Sequence, residues 1–193
     1  MPYALPDALG RLSLDHVAFR RALNVLDRQV NAIAQFKAPD FDILNGLLRY
    51  LGEYPANYHH PVEDEIYNAL KMRSAERAFE VVQIEREHGE VADKHERFAE
   101  AVSRVLADAE ISRQAFCQTA RDFIAAERRH IRREEGLFFS YALEHLTPED
   151  WEKIDSKLRR SLSQPGYGDR LKQYAKMLDD IAAWEQADLQ ATG

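Results

Sequence analysis

Seven side chains in this sequence have the chemistry to bind metal, and they are spread over four long helical segments. They are His16, His59, His60, Glu63, His88, His130 and Glu134. Imidazoles and carboxylates are rarely buried without partners, so their convergence in one core predicts a metal site. The prediction requires the four segments to bring these residues to one level.

The positions of the turns predict that common level. Antiparallel neighbours joined by short loops pair residues that are reflected about the loop. A turn near residue 38 places His16 opposite His59 and His60, and turns near 73–74 and 110 continue the level to His88 and His130. Three separate turns therefore predict the same layer.

The apolar residues of the four segments alternate between three- and four-residue spacings, which indicates the helices of a bundle. The predicted helices cover about residues 12–36, 40–71, 75–108 and 113–146. Pro55 and Pro61 remove backbone hydrogen bonds within the second helix, so we expect a bend there. We predict an all-α fold in which residues 1–146 form an up-down-up-down four-helix bundle and residues 147–193 form a C-terminal extension packed on it.

The extension is predicted to contain two additional helices, over about 148–163 and 170–189. Thr147 and Pro148 provide a typical N-cap and first turn for the first of them. The second has an apolar stripe that must cover the bundle, mediate self-association or meet a protein partner. The stripe consists of Leu171, Tyr174, Leu178 and Ile181.

Composition and charge limit the function classes. The net charge of the 193-residue chain is −7 and its charges are interspersed, so no basic stripe supports nucleic-acid binding. No apolar run approaches membrane-spanning length, so no membrane role is expected. Cys117 is the only cysteine, which excludes an internal disulfide, and the start of the chain has no signal-peptide pattern. We therefore expect a cytoplasmic protein in which this thiol is buried or half-buried.

The ligand set favours two metal ions over one. Glu63 lies four residues after His59 and Glu134 four residues after His130, so each pair shares one helix face. A carboxylate has two oxygens and can bridge two cations, whereas an imidazole supplies one nitrogen. Mixed nitrogen and oxygen ligation without thiolate suits iron, manganese or zinc.

These motifs resemble the hemerythrin-like, or HHE cation-binding, domains. The matching residues, within about 10–146, are His16, His59-His60-x-x-Glu63, Glu87-His88 and His130-x-x-x-Glu134. The resemblance implies a non-haem di-iron centre that binds dioxygen or related small ligands. Two features differ from the oxygen carriers and argue against reversible oxygen transport: the residue four after His88 is Ala92, and His130 is followed at four residues by a glutamate.

Within this di-iron interpretation, the ligands divide between two ions. We assign His16 and His59 to one iron and His60, His88 and His130 to the other, bridged by Glu63, Glu134 and a solvent-derived group. The two-histidine iron then has an open position for a small ligand. On a regular helix His59 and His60 point about 100° apart, so the alternative leaves one of them outside the ligand set.

The leading functional interpretation is a protein that binds or senses dioxygen, nitric oxide or a related small ligand. The alternative is a di-iron oxidoreductase that reduces peroxide or nitric oxide, or that aids repair of iron centres. A third treats the bundle as an interaction module with a structural metal. We also predict a buried His95–Glu127 pair about two turns from the metal layer, with either a structural or a proton-relaying role. An apolar wall is expected from Phe19, Ile66, Leu137 and Phe138.

Overall fold

Helices dominate the computed structural model, which describes residues 5–73, 78–107 and 109–192. They are α1 (Asp7–Ala34), α2 (Phe41–Tyr54), α3 (His60–Arg73), α4 (Ala78–Leu106), α5 (Arg113–Arg133), α6 (Phe139–His145), α7 (Pro148–Leu162) and α8 (Tyr167–Thr192). A first π turn, Pro55–His59, joins α2 to α3, and a second π turn, Glu134–Phe138, joins α5 to α6. No strand occurs in the described ranges.

Four helical segments form the bundle: α1, α2 with α3, α4, and α5 with α6. Helix α1 packs against α2 and α5, and α4 packs against the same two neighbours. One apolar cluster joins the end of α1, the start of α2, the end of α4 and the start of α5, through residues that include Leu26, Leu47, Val102 and Phe116. Consecutive segments therefore run in opposite directions, which confirms the all-α, up-down-up-down bundle.

A polar layer divides the core into two apolar clusters. The larger cluster contains Tyr50 and Phe98, and the smaller one, at the other end of the bundle, contains Leu12, Ile66 and Phe138. The layer between them includes the buried residues His16, His59, Glu63, His130 and Glu134. Because burying unpartnered polar groups is costly, this layer must be stabilised by contacts of its own.

The two C-terminal helices pack on the bundle. Helix α7 packs against α1 and α3, and α8 packs against α1 and α2. The predicted stripe of α8 covers the bundle, with Tyr174 and Ile181 buried and the other two residues partly buried against the larger cluster. Trp184 lies over Gly46, where a Cβ atom would approach the indole to 2.7 Å. These apolar residues are thus largely covered by the chain itself.

Helix termini in the extension follow recognisable capping rules. Thr147 and Asp150 form a capping box at the start of α7, with Pro148 at its first position. Asp155 of α7 accepts hydrogen bonds from the backbone N–H groups of Asp7 and Ala8. This carboxylate caps α1, which begins five residues earlier than the sequence pattern predicted. None of the described helices combines the length and apolarity needed to cross a membrane.

Candidate metal centre

The two π turns lie where ligand candidates enter the core. The first begins at Pro55 and contains His59, so that His60 opens α3 directly after it. The second begins at Glu134, four residues after His130. A π turn accommodates one extra residue in the helix and changes the direction of the side chains around it. Of the two prolines at which a bend is predicted, Pro55 begins the first π turn and Pro61 lies in the first turn of α3, so the helical segment stays continuous.

The seven candidate residues form two neighbouring groups. The buried group consists of His16, His59, Glu63 and Glu134, and the outer group of His60, His88 and His130. Within each group, potential ligand atoms all lie within 4.8 Å of one another. The structure therefore brings together all seven residues, and its division of the histidines matches the two-ion assignment. Their roles as ligands remain predictions.

Two carboxylates connect the groups. The Oε1 atom of Glu63 lies 3.2 Å from His59 Nε2, and its Oε2 atom lies 3.3 Å from His88 Nε2. The Oε2 atom of Glu134 lies 3.1 Å from His16 Nε2, and its Oε1 atom lies 3.4 Å from His88 Nε2. Each glutamate therefore presents one oxygen to a histidine of the buried group and the other oxygen to a histidine of the outer group, as a bridging carboxylate would.

The donor set fits metal cations. Among the described residues, both oxygens of Glu63, Oε2 of Glu134 and Nε2 of His130 are buried without an aligned hydrogen-bond partner. The short contacts of these atoms have ion-pair distances but not hydrogen-bond geometry. The Nε2 atoms of His16 and His59 also lie only 3.2 Å apart. Since buried polar atoms normally have partners, cations held between these atoms would satisfy them.

Charges within the layer shift the pKa values of its members. Burial lowers the pKa of His59, but the carboxylates of Glu63, Asp15 and Glu134 together outweigh it and raise this pKa to about 10. Burial likewise opposes the rise at His88, whose pKa reaches about 10 beside Glu134 and Glu63. Burial and the charge of His88 lower the pKa of His60 to about 3. Without metal, the layer is therefore stabilised by imidazolium groups facing carboxylates.

Three of the histidines place their second ring nitrogen against a carboxylate. The pairs are His16 with Glu135 (Nδ1 to Oε1, 3.1 Å), His59 with Asp15 (Nδ1 to Oδ2, 3.2 Å) and His130 with Glu87 (Nδ1 to Oε2, 3.4 Å). In each pair the Nε2 atom is directed at the ligand layer. Such a carboxylate fixes the ring orientation and tautomer and makes the imidazole a better metal ligand.

The hemerythrin HHE cation-binding domain matches residues 7–142 of the chain. The chain belongs to this family. The matched region extends from the start of α1 into α6 and includes all seven candidate ligands. No curated protein and no solved structure matches the chain. Family membership establishes a cation-binding domain of a kind that typically binds iron.

Sequence reasoning did not assign the roles of the three orienting acids of this HHE domain, although Glu87 stands in one of the motifs that resemble the family. Each adjoins a candidate ligand in the sequence but contacts a histidine of a different helical segment: Asp15 precedes His16 and contacts His59, Glu87 precedes His88 and contacts His130, and Glu135 follows Glu134 and contacts His16. Each acid is itself held by another side chain, from Tyr54, Arg133 and Arg20 respectively. The sequence signal that could have identified these acids is their position directly beside a candidate ligand.

Aromatic rings cover the histidines of the buried group. The ring of Phe139 stacks on His16 with centroids 5.3 Å apart and an interplanar angle of 5°. The ring of Phe19 meets His59 edge-on at 5.0 Å. These contacts surround the buried group with apolar surface and limit the access of water.

The prediction that Leu137 belongs to the apolar wall is wrong. Phe19, Ile66 and Phe138 are buried, but Leu137 is 46% exposed. Leu137 lies inside the second π turn, where the extra residue changes the phase of the helix. The three-four alternation assumed from the sequence therefore fails at this position.

The predicted pairing of His95 with Glu127 is also wrong. The Nε2–H of His95 donates a 2.8 Å hydrogen bond to the backbone carbonyl of Leu48 in α2. Its ring packs against Gly52, where a Cβ atom would lie 2.6 Å from Cε1, and meets Phe123 edge-on. Because Gly52 has no side chain, the imidazole approaches the backbone of α2 closely enough to make this bond.

Glu127 is a buried carboxyl on α5, three residues before His130 and thus within one helical turn of it. Burial raises its pKa, an effect opposed by His130, His59 and His16 and reinforced by Glu134. These charges act on Glu127 because the carboxyl group is within electrostatic reach of the metal layer.

Proposed function

We propose that this HHE domain holds two iron ions. The observation that supports two ions is the placement of Glu63 and Glu134, each of which faces both ligand groups. A single ion would use only one of those groups. Iron is the typical metal of the family, although imidazole and carboxylate ligands also suit manganese and zinc. The proposed ligands are His16, His59, His60, Glu63, His88, His130 and Glu134.

We further propose that the domain binds or senses dioxygen, nitric oxide or a related small ligand. With both carboxylates shared, the ion of the buried group would have two imidazoles and that of the outer group three, so the buried group has room for an exogenous ligand. When bound, the metal ions supply electrons and an open coordination position. The protein contributes ring orientation through Asp15 and Glu135 and exclusion of water through Phe19 and Phe139.

Elemental analysis of freshly purified protein, combined with optical spectra under argon and air, tests this proposal. We expect two iron ions per chain and a spectrum that changes when the ligand is admitted and returns when it is removed. A single ion per chain, in a crystal structure in which Glu63 and Glu134 point away from each other, would overturn the dinuclear site.

A second candidate function is the reduction of peroxide or nitric oxide, including a role in iron-centre repair. Glu127 supports it, because a buried carboxyl with a raised pKa is suited to hold a proton near the centre. An oxidoreductase consumes its substrate repeatedly, whereas a sensor forms one adduct. We expect Glu127→Gln to slow turnover without changing ligand affinity if the protein is an enzyme. Absence of turnover in the native protein would exclude this function.

A further inference from the structure

Five tyrosines form a continuous series of ring contacts beside the buried group. Tyr54 stacks on Tyr50 and on Tyr58, in both cases with ring centroids 5.5 Å apart. Tyr174 of α8 meets Tyr54 edge-on at 5.3 Å and Tyr58 at 5.2 Å. Tyr167 meets Tyr58 at 5.1 Å. The series therefore joins the core of the bundle to the C-terminal extension.

Tyr54 connects this series to the proposed metal ligands through hydrogen bonds. Its hydroxyl donates to Oδ1 of Asp15 at 2.8 Å, and Oδ2 of the same carboxylate lies 3.2 Å from Nδ1 of His59. The guanidinium of Arg11 donates to the Tyr54 hydroxyl at 3.1 Å. A single carboxylate thus separates this phenol from an imidazole of the buried group.

Tyr174 has an equivalent arrangement nearer the surface. Its hydroxyl donates to Oε2 of Glu53 at 3.2 Å, and the side chain of Glu53 is 47% exposed. Tyr50 differs from both, because its hydroxyl is buried and has no hydrogen-bond partner among the described residues. Only a phenol with a base beside it can lose an electron and its proton together without leaving a buried charge. Tyr54 and Tyr174 meet that condition and are in direct ring contact.

We propose that Tyr54 and Tyr174 form a two-step electron relay between the metal centre and the protein surface. The proposal rests on the iron centre proposed above: iron held there would pass the oxidising power of hydrogen peroxide, the oxidant in this scheme, to the protein. In the first step, Tyr54 would lose one electron towards the iron site, and its phenolic proton would pass to Oδ1 of Asp15 along the hydrogen bond that already joins them. The products are a neutral tyrosyl radical and a neutral carboxylic acid.

In the second step, Tyr174 gives one electron to the Tyr54 radical. Asp15 returns the proton to Tyr54, and Glu53 accepts the phenolic proton of Tyr174. A one-electron reductant of the ascorbate class then reduces the Tyr174 radical at the surface, and Glu53 returns its proton. The net effect is that one external electron reaches the centre, so oxidising equivalents are drawn away from the ligand histidines.

Electron paramagnetic resonance of the iron-loaded protein, frozen after mixing with hydrogen peroxide, tests the relay. We expect a tyrosyl radical in the native protein and its loss in Tyr54→Phe. Tyr50→Phe is the matched control, because it removes a neighbouring buried hydroxyl that has no proton acceptor, and it should retain the radical. In Tyr174→Phe the radical should remain on Tyr54 and be reduced more slowly by ascorbate. Iron content and the optical response to peroxide are measured for every variant.

The iron measurements separate the relay from the function on which it rests. With equal iron content and optical response, an unchanged radical in Tyr54→Phe would overturn the relay and leave the iron site standing. Loss of the radical in Tyr50→Phe, or no radical in a native protein that holds iron and reacts with peroxide, would also overturn it. A native protein that takes up no iron would overturn the proposed function and the relay with it.

Discussion

The two ligand groups of this HHE domain differ in how firmly the protein holds their histidines. In the buried group, His16 and His59 are 0% and 2% exposed, and each places Nδ1 against a carboxylate. In the outer group, His130 has such a partner, whereas His60 and His88 are half-buried and stack on each other with centroids 3.9 Å apart. The protein therefore orients the imidazoles of the buried group through carboxylates and two imidazoles of the outer group through ring stacking.

The histidines of the buried group are held in one ring orientation, whereas His60 and His88 of the outer group can adjust theirs more easily. An imidazole fixed at both nitrogens has one ring orientation before any metal arrives, so little freedom is lost when it binds. A ring held by stacking can rotate or be replaced by water at smaller cost. We expect the buried group to determine whether the centre forms, and the outer group to tolerate the loss of one histidine.

The largest expected effect is loss of the whole centre in Glu134→Ala. This carboxylate contacts His16 in the buried group and both His88 and His130 in the outer group. His60→Ala removes one nitrogen from one group, and water can take its place. Iron per chain after dialysis should therefore fall much further in Glu134→Ala than in His60→Ala. Equal losses would show that the carboxylate does not serve both ions.

The orienting acids provide a sharper test with an intermediate effect. We expect Asp15→Asn to lower metal affinity by about 10- to 100-fold, because His59 loses the partner that fixes its ring. Asp27→Asn, on the same helix, disrupts only a partly exposed pair with Arg128 and should leave affinity unchanged. Competition with a chelator measures both. A greater loss in Glu87→Gln than in Asp15→Asn would reverse the comparison between the groups.

The common level of the seven residues was predictable because it depends on long-range regularities. Three-four periodicity identifies the faces of the helices, and antiparallel packing reflects residues about each turn. A residue such as His16 is then placed within about one helical turn from the loop position alone. The N-cap at Thr147 and the first turn at Pro148 of α7 were also predictable, because these signals are local; the structure adds the reciprocal bond of Asp150 that completes a capping box.

Features that depend on a single side chain were beyond this reasoning. The π turns change helix phase by one residue, which exposes Leu137 and allows His59 and His60 to join different groups. His95 was predicted to pair with Glu127, but the missing side chain at Gly52 lets its ring reach the backbone carbonyl of Leu48 in α2. Such outcomes follow from local packing, and periodicity carries no information about it.

Metal uptake should release protons, and the pKa values of the histidines in the two groups predict which of them contribute. The pKa values of His59 and His88 are about 10 without metal, so both are charged at neutral pH, whereas His60, with a pKa of about 3, is neutral. Because ligand imidazoles are neutral, metal binding must expel the extra protons, and affinity should fall as the pH is lowered from 10. Calorimetry in buffers of different ionisation enthalpy measures this release.

A pair of histidine variants isolates the source of the protons. With metal in excess, His59→Ala should release about one proton fewer than the native protein, since its charged imidazole is gone. His60→Ala should release the same number as the native protein, because its imidazole is already neutral. Equal decreases in both variants would contradict the proposed difference in protonation.

The smallest expected effects test whether residues outside the two ligand groups influence iron binding. His95 lies outside both ligand groups, so His95→Ala should retain its iron while losing about 1 kcal/mol of unfolding free energy with the hydrogen bond to Leu48. Iron analysis and chemical denaturation measure the two effects. Loss of iron in this variant would show that His95 is itself a ligand.

Two glycine variants test the same contact from the other side. Gly52→Ala introduces a Cβ atom 2.6 Å from Cε1 of His95, so the ring must move and unfolding free energy should fall. Gly10→Ala, within α1, meets nothing within 4 Å and should stabilise the protein by about 0.5 to 1 kcal/mol through the lower entropy of the unfolded chain. If both variants gained stability equally, the His95 ring would not be packed on α2, and its hydrogen bond to Leu48 could not be what holds it away from Glu127.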